Sequence, residues 1–197
     1  MSATFGTMHR RDAVKALLAD RGDLLVVAGL GSSTYDLFAA GEHDANFYLW
    51  GAMGGAAMIG LGLAQAQPKR PVLVLTGDGE QLMGLGALFT VGVSRPLNLT
   101  IAVLDNGHFG ETGMQLSHSG RGARLGTVAE GAGFTSVTDV ADLAGIESYR
   151  GKLQSVSEGP RFLRISIAPG NPPRVLPPRD GAFVKNRFRQ HLGFQVT

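Results

Sequence analysis

The chain has 197 residues, 44% of them hydrophobic and 17% charged, which suits one folded domain with a sizeable buried core. The net charge is only +2 and most lysines and arginines are scattered, so the sequence has neither a basic face nor a stacking motif for nucleic acid. There is no cysteine, which excludes disulfides and thiolate metal sites and favours a reducing cytoplasm. The N-terminal segment MSATFGTMHRRDAV lacks the apolar core of a signal peptide.

The predicted elements alternate between helices and short apolar strands. In chain order we expect a helix at 9–20, a strand at 23–30, a helix ending at 41, a strand at 47–50, a glycine- and alanine-rich helix to 67, a strand at 71–76 and a helix at 80–93. There follow a strand at 97–104, a glycine-rich and polar loop, a helix at 125–132, a strand at 134–137, a helix at 139–155, a strand at 162–167, a proline-rich tail and a helix at 182–192.

Strands that are apolar throughout, and alternate with helices, indicate a parallel sheet covered on both faces. The predicted fold class is therefore α/β, a doubly wound, mainly parallel sheet of about six strands flanked by helices. We expect a single domain over residues 1–197, with a core at about 9–168 and a C-terminal tail at 169–197. Ligands of such folds bind at the carboxyl ends of the strands.

One segment is long and apolar enough to suggest a membrane span. Residues 47–67, FYLWGAMGGAAMIGLGLAQAQ, carry no charge. The five glycines and the polar Gln65 and Gln67 favour instead a buried helix that packs closely against its neighbours, so we expect no membrane association.

Two oxygen-bearing side chains follow neighbouring predicted strands. Asp78 lies between two glycines after the strand at 71–76, and Asn106 follows Asp105 after the strand at 97–104. Mg²⁺ prefers oxygen ligands and often takes one or two from protein and the others from phosphate and water. A helix that starts near Glu80 would direct its free N–H groups to the same place. The pattern therefore predicts a site for Mg²⁺ and a diphosphate.

Other nucleotide and hydrolase motifs fit poorly. GLGSST at 29–34 follows a strand as a dinucleotide fingerprint does, but Thr34 stands at the third glycine position and no acid follows about 20 residues later. The sequence contains neither a phosphate-loop motif nor a G-x-S-x-G elbow.

The pair of motifs resembles the diphosphate-binding domain of thiamine-diphosphate-dependent enzymes. That family carries Gly-Asp-Gly, a gap of about 25 to 30 residues and Asn-Asn; here 25 residues separate Gly79 from Asp105. The resemblance implies thiamine diphosphate and Mg²⁺ as cofactors, with Asp78, Asn106 and the main-chain carbonyl of His108 as metal ligands. Asp105 replaces the first asparagine of the family pattern. The likeness spans residues 24–167 and is greatest to sulfopyruvate and phosphonopyruvate decarboxylases.

The same resemblance supplies further cofactor-binding residues. WGAMGGA at 50–56 is similar to the segment that gives the family a backbone acceptor, here Gly51, and an apolar wedge, here Met53. The remaining implied contacts are at the strand ends and their loops: Gly31, Ser32, Ser33, Gly77, Gly79, Glu80, Phe109 and Gly110. We expect Glu80 to contribute its N–H and to turn its carboxylate away from the diphosphate.

The resemblance also implies that the active site is shared with another chain. In these enzymes a glutamate of a separate pyrimidine-binding domain activates the cofactor, and nothing before residue 24 has room for that domain. We therefore expect a hetero-oligomer with an α-type partner subunit, acting as a carboxy-lyase on a 2-oxo acid. The alternatives are a subunit of a carboligase or a 2-oxo acid dehydrogenase, or a non-catalytic cofactor-binding subunit.

Four residues near the glycine-rich loop have open roles. His108 is the candidate catalytic residue, because histidine titrates near neutral pH, but a purely backbone role is an equal alternative. His118 is more simply explained as a solvated loop residue. Arg121 and Arg124 would suit the anionic tail of a substrate, although a solvated loop is the simpler explanation.

Overall fold

The computed structural model describes residues 5–196, which form an α/β fold. Its helices are α1 Arg10–Leu17, α2 Ser32–Ala39, α3 Ala56–Ala66, α4 Asp78–Met83, α5 Gly86–Ser94, α6 Leu125–Ala132, α7 Leu143–Arg150 and α8 Gly181–His191. Its strands are β1 Leu25–Ala28, β2 Asn46–Tyr48, β3 Val72–Gly77, β4 Leu99–Asp105, β5 His108–Phe109, β6 Gln115–Leu116, β7 Ser136–Val140 and β8 Arg161–Ser166. The predicted domain limits at 1 and 197, and the first residues of the N-terminal segment, lie outside the described residues.

Six strands form one parallel sheet in the order β2-β1-β3-β4-β8-β7. β3 and β4 lie side by side at its centre, with Gly77 paired to Leu104 at their carboxyl ends. β5 and β6 form a separate antiparallel hairpin beyond that edge. The prediction of a doubly wound parallel sheet of about six strands is confirmed.

Each face of the sheet carries its own hydrophobic core. α3, α5 and α6 cover one face, where Val74, Leu88 and Ile101 are fully buried. α1, α2 and α7 cover the other face, where Leu17, Leu73 and Leu163 are fully buried. The central strands are buried on both sides, which explains why most of their residues are apolar.

Two predicted helices differ from the structure. The helix expected at 80–93 is two helices, α4 and α5, separated at Gly84 and Leu85, because the chain must turn where Gly84 meets the backbone of Gly54. The helix expected at 139–155 begins only at Leu143, since residues 136–140 continue the sheet as β7. Asp142 caps α7 by accepting a hydrogen bond from the Gly145 N–H.

The glycine- and alanine-rich segment forms α3, a helix of 11 residues that packs on the sheet. Gly60 lies so close to β3 that a Cβ there would be 2.1 Å from Val74 Cγ2. Within residues 5–196, none of the helices is both long and apolar enough to cross a membrane. Gly60 therefore allows close packing between a helix and a strand.

Replacing Gly60 with alanine should destabilise the fold by about 1–3 kcal/mol, because the new methyl group overlaps Val74. Gly62→Ala is the matched control on the same helix, where a Cβ meets nothing within 4 Å. Alanine at 62 should instead add about 0.5–1 kcal/mol by restricting the unfolded chain. Urea unfolding of both variants checks this, and equal stability changes would contradict the close packing.

Candidate functional site

The candidate site lies where β3 and β4 end. Gly77 closes β3 and Asp78 opens α4 directly, while Asn106 follows the last residue of β4. Because the two strands are parallel neighbours in register, their carboxyl ends bring both side chains to one edge of the sheet. Both are buried in the wall of a cleft at that edge.

Almost every residue predicted to contact the cofactor lines this one cleft. These residues are Gly31, Ser32, Ser33, Met53, Gly77, Asp78, Gly79, Glu80, Asn106, His108, Phe109 and Gly110. Gly51 is the exception, since it is exposed and does not line the cleft. The structure thus brings together segments that are up to 79 positions apart in the sequence, from 31 to 110.

Asp78 is held in place by two hydroxyl groups. Its Oδ2 accepts hydrogen bonds from Ser117 Oγ at 2.5 Å and from Ser119 Oγ at 3.0 Å. Burial raises the pKa of the Asp78 carboxyl, the two serine hydroxyls act against that rise, and the nearby Asp105 charge adds to it. A cation in the cleft would relieve this unfavourable buried charge.

Asn106 and His108 form a tight turn after β4. The His108 N–H donates to Asn106 Oδ1 at 2.9 Å, and His108 Nδ1 lies 2.7 Å from the Asn106 carbonyl. That second contact makes Nδ1 the protonated nitrogen, which leaves Nε2 as the free acceptor. Gly107 between them has a φ of +69°, a left-handed conformation that favours glycine.

Asp105, which departs from the family pattern, has a structural partner. Arg164 Nε donates to Asp105 Oδ2 at 2.6 Å, and the Gly107 N–H donates to Oδ1 at 3.0 Å. The single hydroxyl proton of Ser119 is shared between Asp105 Oδ1, 2.8 Å away, and Asp78 Oδ2. The carboxylate is therefore neutralised by Arg164 and fixes both loops that surround Asp78. The sequence alone did not reveal this pairing.

The carboxylate of Glu80 is buried beneath the cleft. Its Oε2 accepts a hydrogen bond from Thr76 Oγ1 at 2.8 Å. Burial raises the pKa of Glu80, and the Thr76 hydroxyl and the backbone amides of Leu30, Gly54 and Ala56 act against that rise. The side chain thus lies between Gly29 after β1 and Thr76 near the end of β3.

Met53 projects into the cleft from a turn that has little space around it. The Met53 side chain is 43% exposed, which leaves it accessible to a ligand in the cleft. Gly54 next to it has a φ of +90°, and a Cβ on Gly84 would lie 2.1 Å from the Gly54 carbonyl oxygen. The position of Met53 therefore depends on close backbone contact between two glycines.

Gly84→Ala is expected to displace this turn and to destabilise the chain by about 1–3 kcal/mol, since backbone atoms cannot move aside as a side chain can. Gly86→Ala, where a Cβ meets nothing within 4 Å, is the control and should not lose stability. Thermal unfolding measures the loss, and the fluorescence of Trp50, the one tryptophan of the sequence, reports on the turn. An unchanged Trp50 spectrum in Gly84→Ala would count against the displacement.

Sequence reasoning missed several residues that line the cleft: Arg10, Leu30, Leu104, Glu111 and Thr112. Glu111 accepts a hydrogen bond from Ser32 Oγ at 3.0 Å and pairs with Arg174 Nη2 at 2.6 Å. The segment HRRDAV indicated only a helix, so no local pattern distinguished Arg10 from a solvated arginine.

The other three candidates of the loop lie outside the cleft. His118, Arg121 and Arg124 are exposed, and Arg124 lines a separate polar depression that it shares with Arg164. A ring contact between His118 and Phe109, with centroids 6.3 Å apart, connects His118 to a residue that lines the cleft. This arrangement agrees with the solvated-loop alternative for all three.

The residues present suit a magnesium diphosphate. In the described part of the chain no three His, Asp or Glu residues gather as a metal cluster, so a metal here would rely on Asp78, an amide oxygen and carbonyls. Such an oxygen-only set is what Mg²⁺ prefers. Gly77 and Gly79 contribute only backbone to the wall of the cleft. Position 79 must be glycine, because a Cβ there would lie 2.7 Å from Phe109 Cδ1. The free N–H groups at the start of α2 and α4 add donors for phosphate oxygens.

A doubly wound sheet with a cleft at the carboxyl ends of its central strands has the architecture of a ligand-binding α/β domain. The family model described as "Thiamine pyrophosphate enzyme, C-terminal TPP binding domain" matches residues 31–162. The chain belongs to this family.

Two curated relatives and one solved structure agree with this assignment. Sulfopyruvate decarboxylase subunit beta of Methanothermobacter thermautotrophicus is 37% identical over 83% of this chain and 84% of that subunit. Phosphonopyruvate decarboxylase of Streptomyces viridochromogenes is 38% identical over 90% of this chain but only 44% of that protein. An X-ray structure from Mycobacterium smegmatis, assigned to the thiamin diphosphate-dependent enzymes, matches with a TM-score of 0.64 at 24% identity, over 82% of this chain and 32% of that one. The last likeness bears on the fold alone.

Proposed function

We propose that this chain is the Mg²⁺- and diphosphate-binding subunit of a two-subunit, thiamine-diphosphate-dependent decarboxylase of a 2-oxo acid, of the sulfopyruvate or phosphonopyruvate type. The observation that carries the proposal is the single cleft in which Asp78, Asn106 and the start of α2 meet. The names of the relatives support the reaction, since both are decarboxylases of 2-oxo acids with a second acidic group.

In this proposal each segment of the cleft has one task. Asp78, the Asn106 amide oxygen and the His108 carbonyl hold Mg²⁺, and the hydroxyls of Ser32 and Ser33 donate to the diphosphate. Glycines 31, 77, 79 and 110 line the cleft, and the Phe109 ring packs against Gly79. Bound thiamine diphosphate supplies the electron sink that decarboxylation requires.

The proposal also assigns roles to the thiazole and pyrimidine side. Met53 supports the cofactor as an apolar wedge, and Gly51 offers its carbonyl oxygen. Gly51 does not line the cleft in the structure, so the proposed contact requires the cofactor to extend beyond it. His108, whose Nε2 is the free acceptor, is the proposed proton carrier for substrate.

A partner subunit completes the proposed active site with a pyrimidine-binding domain and its catalytic glutamate. The name of the Methanothermobacter relative identifies it as one subunit, and the Streptomyces relative is more than twice as long as the region that this chain matches. The chain also has an exposed apolar surface on α3, α4 and α5, with the side chains of Met58, Ile59, Met83, Phe89 and Val93. Two of these, Met83 and Val93, are 68% and 84% exposed, and such clusters mark protein interfaces.

We expect the isolated chain to be inactive and the complex with its partner to release CO₂ from 2-oxo acids. Sulfopyruvate, phosphonopyruvate and pyruvate, each tested with and without thiamine diphosphate and Mg²⁺, identify the substrate. Robust turnover by the isolated chain would refute the shared site. A complex that does not respond to thiamine diphosphate would refute the catalytic role and leave the non-catalytic subunit as the explanation.

Product analysis of the same complex separates the related reactions. A decarboxylase releases an aldehyde, whereas a carboligase forms a new carbon–carbon bond and a dehydrogenase needs an electron acceptor. The extent of the domain, residues 1–197 with a core at 9–168, and a cytoplasmic location stay predictions from the sequence.

A further inference from the structure

Arg10 is a buried cation at the edge of the candidate site. It is the first residue of α1, its side chain is only 6% exposed, and it lines the cleft. Among the described residues that line this cleft it is the sole lysine or arginine, whereas Asp78, Glu80 and Glu111 are acids. A buried guanidinium in this position calls for an explanation, because burying a charge is unfavourable unless it is paired.

Asp36 holds Arg10 in one orientation. Arg10 Nε donates to Asp36 Oδ2 at 2.5 Å, and the carboxylate is itself buried. Asp36 also lies 3.7 Å from Arg11 Nε, so one carboxylate faces two guanidinium groups. The cluster of Arg10, Arg11 and Asp36 thus keeps a net positive charge.

The outer end of the Arg10 side chain has no hydrogen-bond partner within residues 5–196. Neither terminal nitrogen donates a hydrogen bond to another atom of residues 5–196, and neither is among the fully enclosed side-chain nitrogens. The four N–H groups on those nitrogens therefore have no hydrogen-bond partner among residues 5–196, and Arg10 lines both this cleft and a second depression formed with His9 and residues 168–172. A guanidinium fixed through Nε presents its remaining donors as a fork, the geometry that matches two oxygens of a phosphate.

The first turn of α2 connects Arg10 to the metal-binding strand end. Asp36, which orients Arg10, is on α2, and the same helix begins with Ser32 and Ser33. Ser33 Oγ would lie 3.8 Å from a Cβ on Gly77, the residue before Asp78. The start of the helix that carries Asp36 therefore lies beside Gly77, and Arg10 and Asp78 both line the cleft.

We propose that Arg10 binds the diphosphate of the cofactor, on the side away from the metal ligands. The inference rests on the proposed function, because it needs a diphosphate in this cleft. It explains how the acid-rich cleft accepts a polyanion: Mg²⁺ neutralises the diphosphate on one side, and the Arg10 guanidinium donates to it directly on the other. Asp36 acts as its positioning residue.

Calorimetric titration of the full chain with inorganic pyrophosphate in the presence of Mg²⁺ tests the contact directly. Arg10→Gln should weaken binding of Mg²⁺-pyrophosphate and of Mg²⁺-thiamine diphosphate by about tenfold or more, the loss of a charge-assisted bidentate contact. Arg10→Lys should lose less, because it keeps the charge but not the fork. Arg11→Gln is the matched control, since Arg11 shares Asp36 but does not line the cleft, and binding should change by less than about threefold.

Arg10→Gln alone leaves Asp36 with fewer partners and could unfold. The double variant Arg10→Gln, Asp36→Asn removes both buried charges and is expected to fold with a melting temperature near that of the wild type. It should still show the weakened binding of pyrophosphate. A melting curve for each ligand-free variant separates loss of affinity from loss of fold.

Binding of Mg²⁺-pyrophosphate within twofold of the wild type by the folded double variant would overturn the inference. The same holds if only the KM for the 2-oxo acid rises in the reconstituted complex, since Arg10 would then bind the substrate. In both cases the wild type still binds thiamine diphosphate, so the proposed function stands. A wild-type complex that binds neither pyrophosphate nor thiamine diphosphate would refute both.

Discussion

Replacing Asp78 with asparagine is expected to weaken binding of Mg²⁺-thiamine diphosphate by about 100-fold or more, while the ligand-free chain stays at least as stable as the wild type. The carboxylate supplies the negative charge that Mg²⁺ needs, and even residues one shell further from a metal contribute about 10–100-fold to affinity. In the absence of metal the same charge is unfavourable, because burial and the nearby Asp105 both raise the pKa of Asp78. The asparagine amide oxygen can still accept the hydrogen bonds of Ser117 and Ser119.

Calorimetry with and without Mg²⁺, together with thermal unfolding of the apo chain, measures both parts of this prediction. Asp23→Asn is the control, because Asp23 is exposed just before β1, at the amino end of the sheet opposite the cleft. A variant at 78 that loses stability without losing affinity would show that Asp78 is a structural capping residue.

Removal of the Glu80 side chain should destabilise the chain by about 2–4 kcal/mol. Glu80→Ala leaves the Thr76 hydroxyl without its acceptor and opens a cavity under the cleft. Glu147→Ala is the control, since Glu147 is an exposed helical glutamate. Urea unfolding measures both, and an equal effect at 80 and 147 would contradict a structural role for the buried carboxylate.

The effect of Glu80→Ala should depend on pH in a defined direction. Burial raises the pKa of Glu80 above its ordinary value of 4.5, so the folded chain favours the neutral acid. An acid with a raised pKa contributes its full stability below the unfolded pKa, and that contribution is lost as pH rises through the folded value. The loss of stability in Glu80→Ala should therefore be larger at pH 4 than at pH 8.

Gly29 offers a direct test of the same contact. A Cβ at position 29 would lie 1.6 Å from Glu80 Oε2, so Gly29→Ala should destabilise the wild type strongly. In the Glu80→Ala background this overlap disappears, and the cost of Gly29→Ala should fall by at least about 1 kcal/mol. Additive effects in the double-mutant cycle would show that the two residues do not compete for the same space.

The bounds of an element were predicted best where they depend only on residues within or next to that element. The helix at 125–132 has the same bounds in the structure, because its apolar spacing and the following Gly133, with a φ of +96°, define both ends. The break between α4 and α5 was missed, since Gly84 turns the chain in response to Gly54, 30 positions earlier. No pattern within residues 80–93 carries that information.

For the site, the sequence motif predicted which residues lie at the strand ends. The structure then showed which other residues line the cleft around them. Asp78 and Asn106 were found because each follows an apolar strand beside glycine, and twelve of the thirteen predicted cofactor contacts line one cleft. Gly51 does not, because the turn before α3 directs Met53 and not Gly51 to the cleft. The roles of the predicted site residues stay predictions until a ligand is bound.

The sequence by itself determined that strands and helices alternate along the chain and form a parallel sheet. It also determined which two strand ends carry the candidate oxygen ligands. These follow from apolar runs and glycines that are adjacent in the chain. Only the tertiary structure decided the partners of the buried charges: Arg164 for Asp105, Thr76 for Glu80 and Asp36 for Arg10. A buried charge is stabilised by whichever group the fold brings to it, and here every partner except that of Glu80 is at least 26 positions away.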